Sequence, residues 1–498
     1  MLKKALLAVI LLIAALVVAV AVNTWRQGSR QINVQPAPPL AVDADAAARK
    51  LSQAIRFKTV SSLDDAGLNA DQFKALHAHL QASYPRAHAA LKREMVGDLT
   101  LLYTWPGTDA SAKPILLLAH QDVVPIAPGT EAKWQAEPFA GEIKEGFVWG
   151  RGAWDNKANL MGQMEAIEML LAEGFKPRQT IYIAMGADEE VGGLRGAKKV
   201  AELLASRGIK LDFVLDEGLL ITDGILKGLD KPAALIGIAE KGYLSVEMHA
   251  HGTPGHSSMP PPAGTGAIGI LSGALARLED KQMPAHIRGV AKEMFDTIGP
   301  EMSGFGRVAL SNLWLFGPLV QRQLEAGGST NAMLRTTTAP TIFEAGNKDN
   351  VIPGEAKATV NFRLLPGDTQ ESVLKHVKEA VGEQPEGRFE LKTLAGASEP
   401  SPVSPTASAS YQLMNRTLRS LFPDVLVAPS LMIAATDSRH FTGVSDHIYR
   451  FSPVRAKTED LARFHGTNER VSVANFGELI RFYVQLLRNT SVPAGTAS

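Results

Sequence analysis

The sequence predicts an α/β protein in which a mainly parallel sheet is flanked by helices. Apolar strand-like runs and helical segments alternate between residues 44 and 242, and this alternation is typical of parallel sheets. The clearest segments are strands at 115–119 and 180–185 and helices at 159–171 and 193–206. Three apolar runs also end in histidine or acidic residues, and the carboxyl ends of parallel strands meet at one crevice. We therefore expect a functional site at one edge of the sheet.

A second strand-and-helix unit interrupts this pattern. Strand-like sequence at 355–368 precedes a helical segment at 371–381, which predicts an inserted, smaller α+β lid or dimerisation domain. Turn-forming residues at 399–410 mark the return to the main domain. The expected parts are an anchor or signal segment at 1–22, a linker at 23–43, the main domain at 44–242 and 399–488, the lid at 243–398 and a tail at 489–498.

The composition excludes several kinds of site. The 498 residues include 51 basic and 51 acidic side chains, so no net charge attracts nucleic acid, and we expect no nucleic-acid partner. Because the chain has no cysteine, disulfides and thiolate zinc sites are excluded. A metal site would have to use His, Asp and Glu. The chain also has no Gly-x-Ser-x-Gly motif, which disfavours a serine hydrolase.

The amino terminus predicts a membrane segment. Lys3 and Lys4 precede an uninterrupted apolar run at 5–22, which at about 1.5 Å per residue nearly spans a hydrocarbon core. We favour an uncleaved anchor. A cleaved signal peptide is the alternative, because Ala19 and Ala21 form a small-x-small pattern. In both cases the folded part is expected outside the cytoplasm, either membrane-anchored or secreted or periplasmic.

Candidate metal ligands follow three predicted strands. His120 and Asp122 come after the first, Glu189 and Glu190 after the second, and Asp216 and Glu217 after the third. Taken singly, each also fits a structural role, because aspartate forms turns and carboxylates favour helix starts. Asp155, in GRGAWDNK, could simply cap the helix that follows.

Taken together, these residues favour a metal site. Several carboxylates in one crevice would repel each other or take up protons unless cations lie between them. His465, in RFHGTNE, adds a second histidine. Two histidines and three acids are enough for two zinc ions that share one carboxylate. The sequence therefore predicts a hydrolase with two zinc ions per chain, and cobalt or manganese could replace zinc.

The order of the motifs resembles one known family. The motifs are LLLAHQDVV, GRGAWDNK, GADEEVGG, VLDEG, GTPGHSS, NVIP and HGTNE. From about residue 44 to residue 488 they resemble the co-catalytic di-zinc metallopeptidases: aminoacylases, acetylornithine deacetylases, succinyl-diaminopimelate desuccinylases, glutamate carboxypeptidases and carboxypeptidase S. The segments GRGAWDNK, LRTTTAPT and NVIPGEAKATVNFR look most similar to the carboxypeptidase S branch, which includes secreted enzymes that act on N-fatty-acyl amino acids.

The resemblance implies a ligand set and a catalytic base. The implied ligands are Asp155 on both ions, His120 and Asp216 on one ion, and Glu190 and His465 on the other. Some relatives have Glu at the third-strand position, and we choose Asp216 over Glu217. Asp122 would orient the imidazole of His120. Glu189 would be the general base that takes a proton from the attacking water.

The resemblance also implies four substrate contacts. These are His256, which would stabilise the oxyanion, Asn350 and Arg363 in the lid, and Arg439, which would bind a free carboxylate. In several relatives the lid histidine reaches the neighbouring subunit's site, which implies a homodimer through the lid. The alternatives are a turn histidine and arginines that form surface ion pairs.

The expected function is zinc-dependent hydrolysis of an amide bond in small molecules, either N-acyl amino acids or short peptides with a free carboxylate. A carboxypeptidase or dipeptidase acting on short peptides is the alternative enzyme. A noncatalytic extracytoplasmic binding module is the alternative from another class. Condensation of a fatty acid with an amino acid is the same reaction in reverse.

Overall fold

The computed structural model describes residues 1–384 and 386–491, so the predicted tail at 489–498 lies largely outside the described residues. The helices are α1 (Leu2–Arg26), α2 (Ala44–Ile55), α3 (Ala70–Ser83), α4 (Pro85–Ala90), α5 (Lys157–Ala172), α6 (Ala197–Ser206), α7 (Ala267–Asp280), α8 (Gly289–Ile298), α9 (Gly304–Ser311), α10 (Leu313–Glu325), α11 (Gly328–Leu334), α12 (Gln370–Val381), α13 (Ala409–Leu421) and α14 (Val473–Thr490). The strands are β1 (Lys92–Val96), β2 (Thr100–Trp105), β3 (Ile115–His120), β4 (Ile143–Lys144), β5 (Phe147–Trp149), β6 (Ile181–Gly186), β7 (Val214–Thr222), β8 (Ala233–Glu240), β9 (Gly242–His251), β10 (Gly255–His256), β11 (Thr337–Ala345), β12 (Val351–Ile352), β13 (Glu355–Leu364), β14 (Phe389–Thr393), β15 (Leu426–Met432), β16 (Ile448–Ala456) and β17 (Arg470–Ser472).

The main domain is built on an eight-stranded sheet with the order β1-β2-β6-β3-β7-β16-β8-β15. The pairs β3–β6, β3–β7, β7–β16 and β8–β15 are parallel, whereas β1–β2 and β2–β6 are antiparallel. Leu117 and Ala119 belong to the core on one face, with α5 and α14. Leu116 and Leu118 belong to the core on the other face, with α6. A mostly parallel sheet between helices confirms the predicted fold class.

The predicted elements agree with the structure except at their ends. Strands β3 and β6 and helices α5 and α12 lie where the sequence predicts them. Helix α6 begins at Ala197, later than the predicted start at 193, because Gly192 and Gly193 have φ values of 109° and 68°. Positive φ is outside the right-handed helical region, so the helix cannot begin until this turn is complete.

The lid contains a second, four-stranded sheet with the order β11-β13-β9-β14. All of its pairs are antiparallel, and α7 packs against β9 and β13 while α12 packs against α7. Strand β13 alternates buried and partly exposed residues, which is typical of a sheet with one face in a core. The antiparallel sheet with helices on one face is the smaller α+β unit that the sequence predicts.

Part of the segment assigned to the lid packs elsewhere. Helix α8 lies against β15 of the large sheet, and its Met294 and Phe295 share a core with Leu235 of β8 and Ala428 of β15. Helices α9 and α10 continue from this point. The helical stretch from α8 to α10 therefore extends the main domain, and the boundaries at 243 and 398 enclose more than the lid.

Helix α1 is long and apolar enough to cross a membrane, and none of its residues is buried. The segment that follows has no regular secondary structure up to α2. This predicted linker nevertheless contacts the main domain. The backbone N–H of Ala37 donates to the carbonyl of Ser420, and the Gln31 side chain bonds both backbone groups of Val427. The linker therefore follows the surface of the main domain.

Candidate metal centre

The carboxyl ends of β3, β6 and β7 meet at one edge of the large sheet, as the sequence predicts. Because β3 is hydrogen-bonded to both neighbours, the residues that end or follow these strands face one crevice. The acidic and histidine residues brought together there are His120, Asp155, Glu189, Glu190, Glu217 and His465. Their positions in the chain span nearly the whole main domain.

Asp155 lies between the two histidines. Its Oδ1 is 3.0 Å from Nε2 of His120, and its Oδ2 is 2.9 Å from Nε2 of His465. Both His120 and Asp155 are buried, whereas His465 is partly exposed. A carboxylate that directs each oxygen at a different imidazole is placed to bridge two cations, one next to each histidine.

Glu190 completes one side of this arrangement. Its Oε2 is 3.4 Å from Nε2 of His465, and its Oε1 is buried without a hydrogen-bond partner among the described residues. One ligand atom from each of His120, Asp155 and Glu190 lies within 4.8 Å of the others. Buried polar atoms almost always have partners, so this carboxylate oxygen is suited to act as a metal ligand.

The two adjacent acids of β7, Asp216 and Glu217, make different contacts. The carboxylate of Asp216 accepts the backbone N–H groups of Glu217 and Ser438, each at 2.8 Å. The carboxylate of Glu217 instead faces the site, with Oε1 4.0 Å from Nε2 of His120. Successive side chains of a strand point to opposite faces, so only one of two adjacent acids can face the crevice. Glu217 is the acid that does so.

Asp122 connects two parts of the site. Its Oδ1 is 3.4 Å from Nδ1 of His120, and its backbone carbonyl is 3.0 Å from the same nitrogen. The carboxylate also accepts the backbone N–H groups of Glu189 and Glu190, at 3.2 and 3.0 Å, and the hydroxyl of Ser61. Asp122 therefore holds the far side of the histidine ring and the short helix that carries both glutamates.

Burial and crowding change the pKa values of the acids. Burial raises the pKa of Glu190 to about 9, with Asp155 as the next contributor. Burial also raises the pKa of Glu189 well above its usual range; His120 opposes this shift and Asp437 adds to it. Burial disfavours the charged form of His120 and so lowers its pKa. The hydrogen bonds that its ring donates to the carboxylates of Asp122 and Asp155 outweigh this effect and raise the pKa well above the usual value. When all of these acids are ionised, their negative charge exceeds what the two histidines can balance.

A buried ion pair holds Asp155 and His465 in place. Nη1 of Arg151 lies 2.7 Å from Oε2 of Glu469, and both side chains are almost fully buried. Nη2 of Arg151 donates to the carbonyl of His465 at 3.0 Å. Oε1 of Glu469 accepts the backbone N–H groups of Trp154 and Asp155. Sequence reasoning missed this pair, although both residues lie in motifs it singled out, GRGAWDNK and HGTNE.

Asp437 is a further buried acid that sequence reasoning missed. Burial raises its pKa well above the usual range, with Asp216 as the next contributor. A side chain at Gly186 or Gly193 would overlap its carboxylate, so these glycines make room for it. Its Oδ1 has no hydrogen-bond partner among the described residues. The sequence signal that could have identified Asp437 is its position in ATDSRHF, two residues before the predicted substrate residue Arg439.

The four predicted substrate residues form two groups. Arg439 donates to the carbonyl of Gly192, next to the site, at 2.8 Å. Arg363 stacks on Tyr243 of the lid, with its guanidinium 4.8 Å from the ring centroid. Burial lowers the pKa of Arg363, Tyr243 opposes this shift, and the nearby charge of Arg439 lowers the pKa further. Arg439 and Arg363 therefore influence each other electrostatically across the boundary between the main domain and the lid.

His256 and Asn350 lie together on the exposed ribbon formed by β10 and β12 of the lid. The backbone N–H of Ser257 donates to the carbonyl of Asn350, and Nδ1 of His256 bonds the hydroxyl of Ser258. Among the contacts of the described residues, none brings His256 or Asn350 to the histidines or acids of the metal centre. The structure brings these two residues together, but not into their own chain's site.

Histidines and carboxylates at the strand ends of an α/β sheet define a metal-dependent hydrolase. The chain belongs to peptidase family M20/M25/M40, whose model matches residues 116–489. It is a hydrolase of the metallo-carboxypeptidase and aminoacylase type, which acts on amide bonds, and enzymes of this family are typically metal-dependent. The resemblance to the carboxypeptidase S branch is confirmed.

Two relatives match most of the chain. A probable carboxypeptidase S-like protein 2 of Dictyostelium discoideum is 39% identical over 489 residues, covering 96% of this chain and 93% of the relative. An N-fatty-acyl-amino acid synthase/hydrolase PM20D1 of Xenopus tropicalis is 42% identical over 444 residues, covering 88% and 85%.

Solved structures show the same fold. An M20 family metallo-carboxypeptidase of Sulfolobus solfataricus has a TM-score of 0.66 at 17% identity and covers 90% of this chain and 99% of its own. Human carnosine dipeptidase 1 has a TM-score of 0.64 at 14% identity, with 91% and 100% coverage.

We predict that Glu469→Ala destabilises the fold and the metal centre together. Removing one partner of a buried ion pair leaves the charge of Arg151 unpaired, which costs about 3–5 kcal/mol in the free energy of unfolding. The measurements are urea denaturation and the metal content of the purified full chain. The control is Glu173→Ala, because Glu173 pairs with Arg488 on the surface and should change stability by less than about 1 kcal/mol. Equal effects of the two substitutions would contradict the assigned role.

Proposed function

We propose that this chain hydrolyses the amide bond of N-acyl amino acids, using two zinc ions held at the strand ends. The observation that carries the proposal is the carboxylate of Asp155, which faces a histidine with each oxygen, beside a buried and unpaired oxygen of Glu190. The Xenopus relative is named as a hydrolase of N-fatty-acyl amino acids, which supports this substrate class.

The donor set fits zinc, because it contains imidazole nitrogen and carboxylate oxygen without thiolate. His120 and Glu217 would hold one ion, Glu190 and His465 the other, and Asp155 both. When bound, the ions would polarise the substrate carbonyl and lower the pKa of water toward about 7. Cobalt and manganese accept the same donors. Asp122 would keep His120 oriented by its contact with Nδ1.

Glu189 is the general base in this proposal. Its backbone N–H donates to Asp122, and the adjacent residue is Glu190, so its backbone is held beside the metal centre. Burial and the surrounding acids raise the pKa of Glu189. A higher pKa brings its proton affinity closer to that of the attacking water and the leaving amine. Glu189 would take the proton from the attacking water and pass it to the leaving amine.

The arginine pair would bind the free carboxylate of the substrate. Arg439 is held next to the metal centre by Gly192, and the charge of Arg439 lowers the pKa of Arg363 in the lid after burial, the larger cause. Two nearby guanidinium groups repel each other, and an anion between them removes that cost. Because guanidinium groups bind carboxylates with two parallel hydrogen bonds, a free acid is the expected ligand. His256 and Asn350 would contact substrate only in a neighbouring subunit's site, which is why we propose a homodimer through the lid.

A carboxypeptidase or dipeptidase is the second candidate. It is favoured by the Dictyostelium relative, which is named as carboxypeptidase S-like and matches 96% of this chain. Both candidates need the same metal centre and the same carboxylate contact, so they differ in what lies on the other side of the amide bond. Turnover of N-fatty-acyl amino acids compared with dipeptides separates them.

A noncatalytic binding module is disfavoured, because the residues proposed as base and ligands are all present. We propose an extracytoplasmic location with α1 as membrane anchor.

We predict that Glu217→Gln loses metal and Asp216→Asn does not. Gln cannot supply the carboxylate that faces His120, so the metal content should fall from two ions toward one. Asn at 216 can still accept the Ser438 N–H through its amide oxygen. The measurement is metal content by mass spectrometry after dialysis in zinc-buffered solution. The reverse pattern would restore Asp216 as the ligand.

We predict that Glu189→Gln keeps its metal and loses turnover. Removing a general base should lower kcat by about 10²- to 10⁴-fold, whereas metal content stays at the wild-type level because Glu189 is not in the ligand set. The assay uses zinc-loaded full-length protein with an N-acyl amino acid. The control is Glu202→Gln, an exposed glutamate that pairs with Lys199. Near-normal turnover of metal-loaded Glu189→Gln would remove Glu189 from the mechanism.

We predict that Arg439→Gln selectively weakens binding of substrates with a free carboxylate. Losing a charge-assisted hydrogen bond of about 1.5–3 kcal/mol should raise KM by about 10- to 100-fold for an N-acyl amino acid. The matching N-acyl amino acid amide should be affected much less, because it carries no negative charge. The ratio of the two KM values separates carboxylate binding from general damage, and Arg388→Gln on the exposed lid surface is the control. An unchanged ratio would contradict the assignment.

A further inference from the structure

Helices α9 and α10 expose an apolar face. Phe305, Trp314 and Leu319 have exposed fractions of 59%, 61% and 56%. Groups of exposed apolar side chains, unlike single ones, mark interaction surfaces. Trp314, Leu315, Pro318 and Leu319 follow the i, i+1, i+4, i+5 spacing of one helix face. No charged residue occurs between Arg307 and Arg322. We call this surface, made by Phe305, Trp314, Leu315, Pro318 and Leu319, the apolar helical face.

The last turn of α1 is attached to the corner between these two helices. Nδ2 of Asn23 donates to the carbonyl of Ser311 at 2.6 Å and to Oδ1 of Asn312 at 3.1 Å. Nδ2 of Asn312 in turn donates to Oγ1 of Thr24 at 2.9 Å, and Nε1 of Trp314 donates to Oδ1 of Asn312. The buried Asn312 therefore joins the end of α1 to the first turn of the apolar helical face.

This attachment sets the distance of the face from a membrane that α1 crosses. The apolar run ends at Val22, and Asn23 is the next residue, about 1.5 Å further along the helix axis. The segment that follows cannot carry the main domain away, because Gln31 and Ala37 are hydrogen-bonded to it. The corner at Ser311 therefore lies at the level where the hydrocarbon core ends.

The residues around the end of α1 suit that level. Trp25 is 82% exposed, and tryptophan side chains concentrate at membrane–water interfaces. Arg26 follows directly, and Arg307 and Arg322 limit the apolar stretch of α9 and α10. Cations at this position can reach lipid phosphates while the apolar side chains enter the acyl boundary.

We propose that the apolar helical face lies in the interfacial layer of the bilayer that α1 crosses, so that the main domain rests on the membrane. Its partner is the lipid surface itself. A second copy of the chain is the other occupant that an apolar face could accept. The bilayer is favoured because the face is continuous with a helix that is unburied along its whole length.

The absence of cysteine allows a direct test. Single substitutions Phe305→Cys, Trp314→Cys and Leu319→Cys in the full chain are spin-labelled and reconstituted in phosphatidylcholine/phosphatidylglycerol nanodiscs. Phe343→Cys is the matched control, because Phe343 is a 48% exposed aromatic residue on β11 of the lid. We expect the first three labels to be more accessible to oxygen than to a water-soluble nickel complex, several-fold more so than the label at 343. Retained amide hydrolysis shows that each variant is folded.

Several results would overturn the proposal. Labels at 305, 314 and 319 that match the label at 343 would show a face in water. Dipolar broadening between labels at 314 of two chains would show a second copy of the chain on the face in place of lipid. An intact mass that lacks residues 1–21 in membrane-purified protein would remove the attachment.

A second measurement needs no labels. Brominated lipid should quench the tryptophan fluorescence of Trp25→Phe protein more than that of Trp25→Phe/Trp314→Phe protein. Equal quenching would also contradict the proposal.

Discussion

The buried ion pair between Arg151 and Glu469 is the interaction on which the metal centre depends. It joins two chain segments that are 318 positions apart and bonds the backbone on both sides of the crevice. Asp155 lies four positions after Arg151, and His465 lies four positions before Glu469. Because charges are expensive to bury without full compensation, the pair is stable only when both segments are folded together. The position of the Asp155 carboxylate therefore depends on the folding of the whole main domain.

The second constraint is the excess of negative charge at the strand ends. Asp155, Glu189, Glu190 and Glu217 share one crevice with two imidazoles, and burial makes each additional charge harder to accommodate. Structural ion pairs elsewhere in the chain, such as Arg450 with Glu240, balance their charges locally. The strand-end cluster does not, and this imbalance distinguishes a site that holds cations from a group of structural acids. Metal binding and folding should be coupled here.

The attachment of α1 to the main domain limits how this domain can be oriented relative to a membrane that α1 would cross. A flexible linker would let the main domain turn freely above a membrane, but the bonds from Asn23 and Gln31 attach both ends of the first linker segment to the domain. Helices α9 and α10 then form the part of the domain closest to the end of α1. The proposed lipid-facing surface would also place the enzyme where its proposed substrates, which are amphipathic, concentrate.

The sequence by itself determined the mostly parallel sheet, the lid unit and the set of polar residues at the strand ends, because helix and strand periodicity and strand-end chemistry are local properties. Only the tertiary structure decided that Glu217 rather than Asp216 faces His120, because the direction of a strand side chain depends on how the strand sits in its sheet. It also decided the pairing of Arg151 with Glu469 and the attachment of α1 to Asn312. These contacts join residues hundreds of positions apart, and no local pattern specifies which distant partner a side chain will meet.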